Sequence, residues 1–106
     1  MKERIVVGVD GSETAELAAR WAAAEARERG ATVELVAAWE VPTNTYGFGF
    51  APINEDVVKG LVRAAEENIG AALDVVRAEA GDIGVDTTVR EGQAAAVLLE
   101  ASRDAD

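Results

Sequence analysis

The stretch Arg4-Ile5-Val6-Val7-Gly8-Val9-Asp10-Gly11-Ser12-Glu13-Thr14-Ala15 decides how this chain folds. Ile5, Val6, Val7 and Val9 form a nearly unbroken apolar run, the pattern of a parallel strand covered on both faces. Gly8 and Gly11 flank Asp10, so the backbone can turn tightly and a ligand can come close to it. Ser12 is placed to cap a helix, and Glu13 puts negative charge at that helix's positive end. Strand, glycine turn and helix start therefore sit within twelve residues, with Asp10 at the mouth of any small-molecule site.

Outward from this turn, Glu13 to Arg29 carries helical spacing. Leu17, Ala18, Trp21 and Ala22 predict one apolar stripe with Trp21 as its bulky anchor, and Glu16/Arg20 and Glu25/Arg29 predict i,i+4 ion pairs on the solvent side. Gly30 follows as a helix-terminating glycine. Thr32 to Trp39 reads as a second strand, which completes a right-handed βαβ unit with parallel strands. Trp39 falls at its carboxyl end, where open α/β sheets bind ligands; it serves either the core or that site.

Pro42 to Pro52 holds three of the five aromatic residues, Tyr46, Phe48 and Phe50, between glycines. A loop of this kind is a lid, a contact between copies, or a segment folded back on the surface. From Asn54 to about Ala80 a long helical pattern runs through Gly60 and Gly70, which invite a bend or fraying. Val85, Thr87 and Val89 alternate with Asp86, Thr88 and Arg90, the pattern of a strand at a sheet edge. Gln93 to Ser102 is a third, short helix with Ala94, Val97, Leu98 and Ala101 on one face.

The expected order is thus β-α-β-α-β-α in a single domain over residues 1–106, an open parallel sheet in three layers. If the strands are laid down successively outward, right-handed crossovers put the first two helices on one face. The third helix then returns across the other face toward the first strand.

Composition narrows the function. Acidic residues number 20 against 10 basic, for a net charge of −10. That argues against nucleic acid and anionic membrane as partners. With neither cysteine nor histidine, the chain has no disulfide, no thiol nucleophile, no imidazole base and no zinc site built from those ligands. No signal-peptide pattern or membrane-length apolar run occurs, and a cytoplasmic location is the expectation. The hydrophobic fraction of 49% supports a core, but much of it is alanine, so modest stability is expected. Asp10 and Glu91 could meet at the strand ends, yet no base–nucleophile pair accompanies them, so an enzyme is not expected.

Val7-Gly8-Val9-Asp10-Gly11-Ser12-Glu13 with the alanine-rich helix after it resembles the amino terminus of the universal stress protein family. Trp39-Glu40-Val41-Pro42, Arg90-Glu91-Gly92 and Leu98-Leu99-Glu100-Ala101-Ser102 with Asp104-Ala105-Asp106 resemble later family segments in the same order. The resemblance implies the adenine nucleotide alpha hydrolase-like fold and a stress-response role in binding or sensing adenine nucleotide. By the same resemblance Gly8, Val9, Asp10 and Ala38 fall where relatives contact adenine, ribose and metal. ATP with Mg²⁺ is the implied cofactor, with Asp10 near the ion; the alternative for Asp10 is a structural role in capping the helix or ordering the turn.

The family's phosphate-binding motif, Gly-x2-Gly-x9-Gly-Ser/Thr, is not found. Gly8 and Gly11 are followed at the required place by Trp21, and Gly81 and Gly84 by Ala94. The expectation is a domain cut short before its last two strands and phosphate cradle, with ATP bound weakly or not at all. An uncovered first strand would then pair with a second copy, giving a homo-oligomer through that edge. A self-associating structural or interaction domain that binds no nucleotide is the alternative function.

Overall fold

The computed structural model describes residues 3–40 and 55–103. They form β1 (Arg4–Gly8), α1 (Glu13–Arg29), β2 (Thr32–Trp39), α2 (Glu55–Glu79), β3 (Val85–Glu91) and α3 (Ala94–Arg103). The three strands make one parallel sheet in the order β1-β2-β3. The expected element order and strand direction are both present. The aromatic loop expected at Pro42 to Pro52 lies outside the described residues.

Strand periodicity sorts the side chains into two layers. Val7, Val33, Leu35 and Ala37 pack with Ala19, Ala22, Ala23 and Ala26 of α1 and with Ala65, Ile69, Ala72 and Val76 of α2. On the opposite face Val36 packs with Val97 and Ala101 of α3, and Val6, Ala38 and Leu98 close around them. The third helix therefore lies over β1 and β2, across the sheet from the first two. This is the arrangement that right-handed crossovers require.

The buried stripe of α1 differs from the one its spacing predicts. Ala19, Ala22, Ala23 and Ala26 are fully enclosed, while Leu17 is 59% and Trp21 61% exposed. The cause is steric. A stripe of alanines lets α1 approach the sheet closely and leaves room for α2 beside it, where an indole would hold both away. Arg20 also departs from the expected i,i+4 pair and reaches Glu79 of α2 at 4.0 Å, whereas Glu25 and Arg29 pair at 3.2 Å as expected. Helix α2 runs unbroken through Gly60 and Gly70, with open space beside each.

Edge positions are assigned by the sheet order. β3 is an edge, in agreement with its alternating sequence. β1 is the other edge among the described residues; only Val7 is buried within it, so the covering of both faces predicted by its apolar run is incomplete. Trp39 is half-buried and packs against the α1/α2 core, which settles it as a packing residue.

Among the described residues, one buried polar side chain has no signal in the sequence. Glu34 is 7% exposed on the α3 face of β2. Its carboxylate meets the Arg4 guanidinium of β1 at 3.3 Å and accepts a 2.9 Å hydrogen bond from the Thr88 hydroxyl of β3. One side chain thus ties the central strand to both neighbours; Oε1, which faces Arg4, has no hydrogen bond among the described residues, so the partners offset only part of the cost of burying its charge.

Candidate functional site

Strand lengths open the cleft. In the register β1 ends with Gly8 opposite Val36, while β2 continues through Ala37 and Ala38 to Trp39. The chain leaves the sheet after one more backbone bond, Val9 N–H to the Val36 carbonyl at 2.8 Å. Past that point β2 overhangs its neighbour at the carboxyl end, the position where open α/β sheets bind ligands. A cleft of about 160 Å³ lies there, lined by Gly8, Val9, Asp10, Val36, Ala38, Ala94 and Leu98. All four residues singled out in the sequence, Gly8, Val9, Asp10 and Ala38, are brought together in it.

The turn that forms the mouth is held by local bonds. The Ser12 N–H donates to Asp10 Oδ1 at 2.9 Å, and the Ser12 hydroxyl accepts from the Ala15 N–H at 3.1 Å. Ser12 has extended backbone angles and is the N-cap of α1, as predicted. Gly11 sits at φ +83°, a left-handed conformation that glycine adopts without steric cost. The Ser12 hydroxyl first, and the Ser12 N–H second, hold the Asp10 carboxyl below its ordinary value. Asp10 is exposed and stays ionised at neutral pH.

Three lining residues, Val36, Ala94 and Leu98, were not anticipated as site residues. Ala94 and Leu98 come from the first turns of α3 and form the wall facing Gly8. A Cβ at Gly8 would lie 2.7 Å from Leu98 Cδ1, so the missing side chain is what lets α3 seat against β1. Their helical spacing was visible in the sequence, but it reads as core packing and gives no sign of a ligand wall.

Glu91 is not part of this cleft. It lies on β3 and pairs in register with Trp39 of β2, so β2 separates it from the β1 turn. No group of three or more potential His, Cys, Asp or Glu metal ligands occurs among the described residues. No described helix is long and apolar enough to cross a membrane.

Known proteins resemble both the sequence and the shape. The model of the universal stress protein family matches residues 1–106. Universal stress proteins from two strains of Mycobacterium tuberculosis are 35% identical over 102 residues, which is 96% of this chain and 34% of theirs. The chain thus spans about a third of the length of those relatives. Among solved structures, a universal stress protein family member from Burkholderia pseudomallei superposes with a TM-score of 0.76 at 18% identity, over 96% of this chain and 74% of that one. One from Archaeoglobus fulgidus gives 0.68 at 22% identity, over 98% and 69%. A universal stress protein in complex with cAMP gives 0.64 at 19% identity, over 96% and 64%. At these identities the structures speak for the α/β fold alone, but the family match and the mycobacterial relatives speak for descent. The chain belongs to the universal stress protein family.

Proposed function

We propose that this domain binds adenine nucleotide in the cleft between the β1–α1 turn and the start of α3, as part of a stress response. The observation that carries the proposal is the overhang of β2 past Gly8. It leaves Ala38 beside a cleft with small apolar walls and Asp10 at its mouth. Val36, Ala38, Ala94 and Leu98 suit a flat ring, and Asp10 is an acceptor for ribose hydroxyls. The cAMP complex of a structural neighbour supports an adenine ligand in this family.

Phosphate recognition is the weaker half. The described wall is apolar apart from Asp10, and a carboxylate repels phosphate unless a cation lies between them. Mg²⁺ is commonly held by one or two carboxylates together with substrate phosphates. Asp10 fits that role as one ligand, although its Oδ1 already accepts from Ser12. Base and ribose therefore supply most of the affinity in these 106 residues, and triphosphate adds little. Calorimetry with adenosine and with ATP plus Mg²⁺ tests this. Comparable weak affinities support the proposal, and no binding of either by a folded protein refutes it.

A second function, self-association, is favoured by the side of β1 that no described strand pairs. Ile5 and Val6 are half-exposed there, and Leu99 of α3 stands 57% exposed beside a shallow cleft lined by Val6, Gly8, Leu98 and Ser102. An apolar edge strand pairs readily with another chain. Light scattering of this chain is expected to show dimers or larger species, and a stable monomer at high concentration contradicts it.

A further inference from the structure

On the far side of the β1–α1 turn from the proposed nucleotide cleft lies a second, smaller cavity of about 100 Å³. It is lined by Val9, Gly11, Ser12, Ala15, Glu16, Asn68, Ala71 and Ala72. Asn68 belongs to α2, fifty-seven residues beyond Gly11 in the chain, and is half-buried. The point that a Cβ at Gly11 would occupy lies 2.7 Å from Asn68 Oδ1, 3.2 Å from its Cγ and 3.3 Å from its Nδ2. The amide of Asn68 thus fills the volume that a side chain on Gly11 would take. Among the described residues, no side-chain hydrogen bond accounts for this placement.

We propose that Asn68 is a positioning residue for the nucleotide cleft, a wedge whose contact with Gly11 holds the turn that aims Asp10. The inference rests on the assignment of that cleft as the ligand site. Its physical basis is that glycine is the least restrained residue, and the turn carries glycine at both 8 and 11. The bond within the turn, Ser12 N–H to Asp10 Oδ1, is solvent-exposed and short in range. It ties the turn to itself and not to α2 or β2. A packed group from a separate helix supplies what the turn lacks. Because α2 also packs on β2, the strand that carries Ala38, Asn68 ties the turn on one side of the cleft to the strand on the other.

The test uses Asn68→Ala, which removes the wedge, and Asn68→Leu, which keeps its branched shape without its polarity. The readouts are the hydrogen-exchange rate of the Ser12 amide, followed by NMR, and the adenosine dissociation constant. In Asn68→Ala the Ser12 amide is expected to exchange at least threefold faster, while core amides such as that of Leu35 keep their wild-type rates. Adenosine is expected to bind about threefold or more weakly. Asn68→Leu is expected to match the wild type in both. Unchanged Ser12 exchange in a folded Asn68→Ala protein overturns the proposal. So does an Asn68→Leu protein as loose as Asn68→Ala, because shape is then not what holds the turn. A wild-type chain that binds no adenosine removes the nucleotide assignment, and the Ser12 rates still decide whether Asn68 holds the turn.

Discussion

The Ser12 N–H donates to Asp10 Oδ1 at 2.9 Å across the single residue Gly11, so the helix cap and the exposed acid at the cleft mouth share one turn. Ser12 therefore has two jobs, and one substitution separates their effects. In Ser12→Ala the hydroxyl is lost and the N–H remains. The Asp10 carboxyl is expected to titrate closer to its ordinary value, in an NMR pH titration, because the hydroxyl is the larger cause of its lowered pKa. Loss of the cap is expected to cost about 1 kcal/mol at neutral pH.

The sign of the pH dependence follows from the same bonds. Asp10 has a lower pKa folded than unfolded, so its contribution to stability is complete above the ordinary value of 3.8. It is lost as pH falls through the folded value. The wild type is therefore expected to lose stability more steeply than Asp10→Asn in this acid window, and urea midpoints measured at several pH values check it. Parallel curves would mean that the Asp10–Ser12 bond has no thermodynamic weight.

Gly8 and Leu98 are expected to be energetically coupled. A methyl at Gly8 would meet Leu98 Cδ1 at 2.7 Å, forcing that side chain out of place in the wall it gives the cleft. Gly8→Ala is expected to destabilise by about 1–2 kcal/mol through overpacking. Leu98→Ala makes room, so the double variant is expected to be more stable than the sum of the single effects implies, by about 1 kcal/mol. Urea denaturation of the four proteins measures the coupling, and strict additivity would show that the two residues do not press on each other.

Glu34 is expected to matter more than an exposed acid. Glu34→Ala strips the partner from Arg4 and from Thr88 together, at an expected cost of about 2 kcal/mol. Thr88→Val removes one neutral donor and is expected to cost about 1 kcal/mol. Arg4 is partly exposed, which keeps the first figure below that of a fully enclosed pair. Thermal or urea unfolding gives both values; a neutral Glu34→Ala would mean that the cross-strand tie contributes nothing.

Much of this molecule was legible because its signals are local. The Gly8–Ser12 turn shows its strand end, its glycines and its cap within five residues, and the structure reproduces each. Leu17 and Trp21 misled because hydrophobicity marked them for the core, whereas the closeness of helix and sheet selected the alanine stripe. Which helical face is buried depends on the depth of the neighbouring layer, and no i,i+4 count contains that depth. Glu34 was hidden for a related reason: its partners lie on other strands and become visible only with the register. Ala38 entered the site through family resemblance, while Ala94, Leu98 and Asn68 entered only when α2 and α3 were placed in space.

The proposed adenine site lies at the open carboxyl end of β1 and β2. Its most direct test is to titrate the isotopically labelled protein with adenosine and record which backbone amides shift. Saturable shifts are expected at Gly8 to Ser12, Ala38, Ala94 and Leu98, with weaker binding in Asp10→Ala. No saturable shift at these residues up to millimolar adenosine, or shifts confined to Arg4 to Val7 of β1, would overturn the assignment.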